Sequence, residues 1–266
     1  MADYEFLTID RQGAVTFLTL NRPQRRNALT HRMMLELEDA FVGVGNDAAC
    51  RVLVLRGAGG HFCAGGDLDT MADLPPVPPG GTDPLLPTYR QFGNALLALE
   101  ALPQATIAVV EGSAVGAGFG MACCSDVVIL REDARFGIPE PRVGFIPSQI
   151  IPFLVRRLGE GPVRDLAVTG RVIDAAEAYR LGVGRYPCLT DADVEATLQG
   201  LLDDILKMEP KALAVAKRLV LSCAKKDDLD VLDAAAASLV GLLREPEAAE
   251  GIRHFMAKTT PSWAKR

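Results

Sequence analysis

Alternation of apolar and polar residues opens the chain. "YEFLTID" and "AVTFLTLN", on either side of "RQG", place hydrophobic side chains at every second position, the pattern of a β-hairpin. The period then lengthens. Across residues 31–45, Met33, Met34, Leu37, Ala40, Phe41 and Val44 fall on one helical face, and Thr30 stands where an N-cap belongs. "RVLVLRG" is a continuous apolar run suited to a buried strand, followed by the loop "GAGGHFCAGGDL" and a helical turn near 68–72. Residues 73–87, "DLPPVPPGGTDPLLP", hold six prolines and two glycines, too many for regular hydrogen bonding, which predicts a mobile insertion that orders over a bound ligand.

A helix over 88–101 leads to the strand "ATIAVVEG", the glycine-rich turn "GSAVGAGFGMACCSD", a short apolar helix, the strand "DVVILRE" and a brief "RFGIPE". The repeating order of strand, glycine-rich turn and helix predicts an α/β chain with parallel crossovers. From Ser148 helices predominate, over 148–158, 161–169, 174–181 capped by Asp174, 191–208 capped by Asp191, 210–225 opened by Pro210, 229–244 and 246–258.

Composition narrows the chemistry. With 266 residues, 49% of them apolar, and a formal charge of −6, the chain reads as a soluble globular protein with a large core, and nucleic acid is an unsuitable partner. No long uncharged apolar run suggests a membrane span, and "MADYEFLTID" lacks a basic export region, so a cytoplasmic location is expected. Cysteines at 50, 63, 123, 124, 188 and 223 and histidines at 31, 61 and 254 show no metal-ligand spacing, so no metal is expected and the thiols are read as buried and reduced.

The turn around Gly116, Gly118 and Gly120 follows a strand and opens a helix, yet it is no dinucleotide fingerprint. Counting from Gly116 puts Met121, and from Gly118 puts Cys123, where the third glycine or alanine should stand. A phosphate loop ending in GK[ST] and a GxSxG elbow are both absent. What remains is a helix N-terminus whose free N–H groups suit an anion or a developing oxyanion, and "HFCAGGDL" offers a second one. Tight packing alone would also account for the glycines.

Five segments resemble, in order, the motifs of the enoyl-CoA hydratase/isomerase (crotonase) family: "LNRPQRRNALT", "GAGGHFCAGGDL", "VVEGSAVGAGFGMACCSD", "FGIPEPRVGFIP" and "EGIRHFMAKTTPSW". The resemblance implies a spiral of ββα repeats over residues 1–190, then a helical region over 191–266 through which chains assemble as a trimer or a dimer of trimers. It implies an acyl-CoA thioester as substrate, with coenzyme A as part of that substrate and no separate cofactor. The thioester oxygen would be held by the backbone N–H groups of Gly66 and Ala117. Ala64 and Leu68 would line the CoA channel, and Asp67, beside them among the candidate substrate-site residues, reads as a helix cap and loop organiser more than as a second acid. Arg25 with Arg26 could meet the CoA phosphates or simply face water, and Phe255 and Lys258 would touch CoA, commonly that of a neighbouring subunit.

Hydratases of this family carry two glutamates. Glu140 matches the second, whereas position 120, where the first belongs, is glycine. A single carboxylate can hydrate a 2-enoyl thioester by taking a proton from water and returning it to the α-carbon, and it can equally isomerise a 3-enoyl to a 2-enoyl thioester; a non-catalytic acyl-CoA-binding protein is the remaining alternative. Gly120 is expected to leave a void opposite Glu140, with room for a bulkier β-substituent or a water. Two segments, "GFGMACCSD" and "GFIPSQIIPFLVRRLG", resemble the isohexenylglutaconyl-CoA hydratase-like subgroup, which would make the substrate a β-branched glutaconyl thioester. Arg142 could pair with the carboxylate of such a substrate, or serve as a structural or surface salt-bridge arginine.

Overall fold

The computed structural model describes residues 4–71, 79–81, 83, 85–144, 146–223 and 228–264, so most of the proline-rich stretch expected to act as a lid lies outside the described residues. Strands β1 (Leu7–Gln12) and β2 (Val15–Leu20) form the expected hairpin, turning through Gly13 at φ 61°, the positive φ that primed hairpin turns require. From β2 the sheet continues in parallel through β3 (Val52–Gly57), β4 (Ala105–Val110), β6 (Val127–Arg131) and β9 (Tyr186–Cys188). A second, three-stranded sheet joins β5 (Ser113–Val115), β7 (Arg135–Gly137) and β8 (Val172–Asp174).

Between the strands lie α1 (His31–Asn46), α2 (Leu68–Met71), α3 (Leu85–Ala101), α4 (Ala117–Cys124), α5 (Ile151–Leu158), α6 (Glu160–Thr169) and α7 (Ala175–Leu181), and after β9 come α8 (Asp191–Ile205), α9 (Pro210–Cys223), α10 (Asp228–Leu243) and α11 (Pro246–Ala257). Thr30 caps α1 and Asp174 caps α7, each accepting a backbone N–H in the first turn. The cap of α8 is Thr190, not Asp191: Thr190 and Asp193 exchange hydrogen bonds as a capping box, and Asp191 begins the helix. Helix α3 starts three residues earlier than its periodicity suggests, because Pro87 falls in its first turn, where a missing N–H costs little.

The central strands explain their uniform hydrophobicity. Leu53 and Leu55 of β3, Ala108 and Val110 of β4, and Val128 and Leu130 of β6 face one core with α1, α3 and α4. Val52, Val54, Ile107, Val109 and Ile129 face the other, which Val194, Leu198 and Leu202 of α8 close. Both faces of the sheet are covered, as parallel strands require. Lys217 of α9 ties this layer to the sheet through Asp126, 2.8 Å away, and through the carbonyl of Gln104.

No disulfide joins any of the six cysteines; all are buried except Cys223. Burial pushes the thiols of Cys63 and Cys123 up to about 12, which disfavours the reactive thiolate. In the native protein Cys223 alone should therefore react readily with a thiol reagent, and denaturant should bring the titre to six. A second fast-reacting thiol before denaturation would contradict the packing described.

Candidate active site

The loop leaving β3 is built by contacts from a distant turn. Asn27, fully buried at φ 58°, donates from its amide to the carbonyls of Ala58 and His61 and accepts the N–H of Arg22. The Arg22 guanidinium donates to the Ala28 carbonyl and pairs with Asp67 at 2.5 Å, with side-chain exposures of 13% and 5%. Removing one member of so buried a pair leaves an uncompensated charge, so it locks the loop more strongly than a surface bridge would. Leu29 donates its N–H to Gly65 and accepts that of Asp67, while Ala64 donates to Arg26. The N–H of Gly66, between those two contacts, points away from Leu29 and has no backbone acceptor among the described residues.

The second glycine-rich loop is laced to the first through backbone. Phe62 donates to Glu111, Cys63 to Ser113, and Val115 back to Cys63. A Cβ on Gly65 would come within 3.2 Å of the Val115 carbonyl, and one on Gly118 within 2.4 Å of the Cys63 carbonyl, so side chains at these positions would push the loops apart. Gly116, at φ 52°, is the N-cap of α4 and donates to the Gly137 carbonyl, leaving the Ala117 N–H as the first free donor of the helix. His61 is committed elsewhere: its Nδ1 accepts the Ser113 N–H, and it forms no base–nucleophile pair with Cys63, whose thiol donates to Gly65.

Glu140 follows β7 as the first residue of a 3-10 turn, Glu140–Val143. Its Oε1 lies 2.5 Å from where a Cβ on Gly116 would stand, so the carboxylate rests against the turn that carries Ala117. Its Oε2 is buried without a hydrogen-bond partner among the described residues. Burial, only partly offset by a backbone hydrogen bond, raises the carboxyl above its ordinary pKa. Two adjacent N–H donors beside a carboxylate of raised proton affinity can stabilise negative charge on one oxygen while a proton moves nearby.

The expected void at Gly120 is not there. A Cβ on Gly120 would collide with Ile150, 2.4 Å from its Cγ2, and would touch Leu96 at 3.6 Å, both of them buried. Asp67, expected among the substrate contacts, has its carboxylate engaged by Arg22 and by the N–H of Asp69, so it organises the loop. Arg25 pairs with Asp69 at the surface, Ala64 is half-buried, and Leu68 is 54% exposed. Arg142 lies with its stem across Gly170, the C-cap of α6, and pairs with no carboxylate among the described residues.

Phe255 falls in α11, but its side chain lies outside the described residues, and Lys258 is exposed just beyond the helix. The segment after α11 is anchored at Trp263, whose carbonyl accepts from Arg51 and whose indole donates to Lys207. Arg51 precedes β3, whereas the donor loop leaves the opposite end of that strand. Neither Ile150 nor the Arg22–Asn27–Asp67 scaffold is visible as such in the sequence, because each acts on residues far along the chain.

Residues 10–266 match the model of the enoyl-CoA hydratase/isomerase family. The chain is 33% identical over 263 residues to 2,3-dehydroadipyl-CoA hydratase of Escherichia coli, with 98% of this chain and 99% of the relative covered. It is 32% identical over 261 residues to enoyl-CoA hydratase EchA19 of Mycobacterium tuberculosis, covering 97% and 96%. Among solved structures, an enoyl-CoA hydratase/isomerase from Marinobacter aquaeolei superposes with a TM-score of 0.92 at 38% identity, over 98% of this chain and all of that one. AtuE of Pseudomonas aeruginosa does so with 0.93 at 39%, over 98% and 100%. In sequence and in fold, the chain belongs to the enoyl-CoA hydratase/isomerase, or crotonase, family.

Proposed function

We propose that the protein hydrates a 2-enoyl-CoA thioester through an enolate, with Glu140 as its general acid–base and the N–H groups of Gly66 and Ala117 on the thioester oxygen. The observation that carries this reading is the buried Oε2 of Glu140, unpartnered beside the N-terminus of α4. Water attacks the β-carbon and gives its proton to Glu140, while the π electrons move onto the carbonyl oxygen. As the enolate collapses, Glu140 returns that proton to the α-carbon, so H and OH add across the double bond and the enzyme is regenerated. Hydratase names among the relatives support this direction.

A single carboxylate with an apolar neighbour at Gly120 also suits isomerisation of a 3-enoyl thioester, in which Glu140 takes the α-proton and returns it to the γ-carbon. Ala64 and Leu68 would flank the CoA chain, and Arg25, once released from Asp69, would face its phosphates. A carboxylate on the acyl tail, of the glutaconyl kind, finds support in Arg142, which pairs with no carboxylate among the described residues, and in the name of the Escherichia coli relative, a 2,3-dehydroadipyl-CoA hydratase. Branching at the β-carbon loses the support that an open space at Gly120 would have lent. In this reading residues 1–190 form the binding core in a cytoplasmic protein, and 191–266 join subunits so that Phe255 and Lys258 reach a neighbour's CoA. Exposed Leu232, Leu239, Val240 and Leu243 of α10, with Ile252 and Met256 of α11, supply the apolar surface for that contact.

Incubation with crotonyl-CoA, a 3-enoyl-CoA and glutaconyl-CoA, followed by mass spectrometry, should give a product heavier by one water from the first. Conversion of the 3-enoyl thioester alone, to a product of unchanged mass that separates chromatographically as the conjugated 2-enoyl isomer, would select isomerisation, and no conversion of any would mark a binding protein.

Glu140→Gln should lower kcat/KM by about a hundredfold to ten-thousandfold, with affinity for unreactive butyryl-CoA little changed. The same substitution should raise the melting temperature near neutral pH. A raised native pKa stabilises the fold below the unfolded value of about 4.3 and loses that contribution as pH rises through the native value, so the advantage of glutamine should vanish toward about pH 4. Light scattering should return three or six times the 28.4 kDa chain mass; a monomer at micromolar concentration would refute the assembly.

A further inference from the structure

We infer that Ile150 sets the width of the acyl pocket at the β-carbon and so acts as a specificity-determining residue that favours unbranched acyl chains. The inference rests on the proposed binding of an acyl thioester at Ala117, and it begins from the geometry of α4. Gly116 and Gly120 are one helical turn apart, joined by the Gly120 N–H donating to the Gly116 carbonyl at 3.0 Å, so they share a face of the helix. Glu140 lies against Gly116 at the start of the helix, and Ile150 lies against Gly120 one turn on.

An oxygen held by the Ala117 N–H therefore has the carboxylate to one side and the isoleucine roughly one turn, about 5–6 Å, further along the helix. Direction along α4 follows from burial. The helix runs inward, with Gly118 to Cys124 all buried, whereas Leu68, just after the other donor loop, and Arg25, in the turn before α1 that braces that loop, reach solvent. A charged CoA moiety must leave toward water, which turns the acyl chain inward, toward Gly120. The β-carbon stands two bonds beyond the carbonyl carbon, within that turn, so a substituent on it meets Ile150.

The wall is rigid. Ile150 is 3% exposed, its β-branched side chain has few rotamers, and Leu96, fully buried on α3, touches the same spot. Glycine at 120 is what permits this: any side chain there would displace Ile150. Small size at position 120 thus does not enlarge the pocket, because the volume is returned by a residue thirty positions later.

The test compares Ile150→Ala and Ile150→Val with the wild type on two thioester pairs. Crotonyl-CoA and 3-methylcrotonyl-CoA report turnover; butyryl-CoA and 3-methylbutyryl-CoA, measured by calorimetry, report binding without chemistry. In Ile150→Ala the branched-to-linear ratio of kcat/KM, and of affinity, should rise about tenfold or more, since one methyl group is worth roughly 10–200-fold in such a pocket. Ile150→Val should shift both ratios the same way by less, and its gentler change guards against a misfolded alanine variant. Ratios unmoved in both variants, with thermal melts showing folded protein, would overturn the inference while leaving the hydratase reading intact. A shifted binding ratio in a protein that turns over neither enoyl thioester would uphold the wall and remove the hydratase reading.

Discussion

Backbone-to-backbone contact between two loops is the constraint on which the site depends. The Cys63–Ala114 bridge, with Cys63 donating to Ser113 and accepting from Val115, extends sheet pairing past the ends of β3 and β4. That pairing brings Gly65 against Val115 and Gly118 against Cys63 at distances only glycine allows, and each contact lies one residue from a free N–H. Donors fixed in this way need not reorganise when charge appears, which is why backbone is well suited to the task. Side-chain donors in the same place would have to be held by packing that glycine-to-glycine contact leaves no room for.

The same contact explains the environment of Glu140. Because Gly116 has no side chain, the carboxylate can rest on the turn itself, and because β7 pairs with β5 the residues after Gly137 are delivered to that spot. Nothing among the described residues offers Oε2 a hydrogen bond. A buried carboxylate oxygen without a partner costs stability, and its place beside two free donors is what motivates the proton transfer proposed for Glu140. Asp67 shows the contrast: equally close to the donor loop, it is neutralised by Arg22 and serves as scaffold.

Arg22 and Asn27 carry the mechanical load of the first loop. Asn27 ties two carbonyls of the loop at once from a left-handed backbone conformation, and Arg22 crosses from the same turn to Asp67. The loop thus hangs from a turn some forty residues earlier, and its position depends on the hairpin and α1 as much as on β3. Helix α4 packs against Ile150 and Leu96 at Gly120, so each donor loop is braced by its own set of distant residues.

Periodicity alone determined the hairpin, the amphipathic α1 with its Thr30 cap, the doubly buried central strands and the run of helices after β9, because each of these follows from local spacing and from burial of one or two faces. Glycine placement and the five motifs marked the two donor loops and Glu140. The short strands β5, β8 and β9 escaped such reading, since three residues hold no period and pair only with distant partners. Tertiary structure alone decided what surrounds each marked residue: that Asp67 is consumed by Arg22, that one oxygen of half-buried Glu140 has no partner among the described residues, and that the space beside Gly120 belongs to Ile150. A missing side chain in sequence reads as room, but close packing refills volume from whichever segment the fold brings near, and no local pattern records that neighbour.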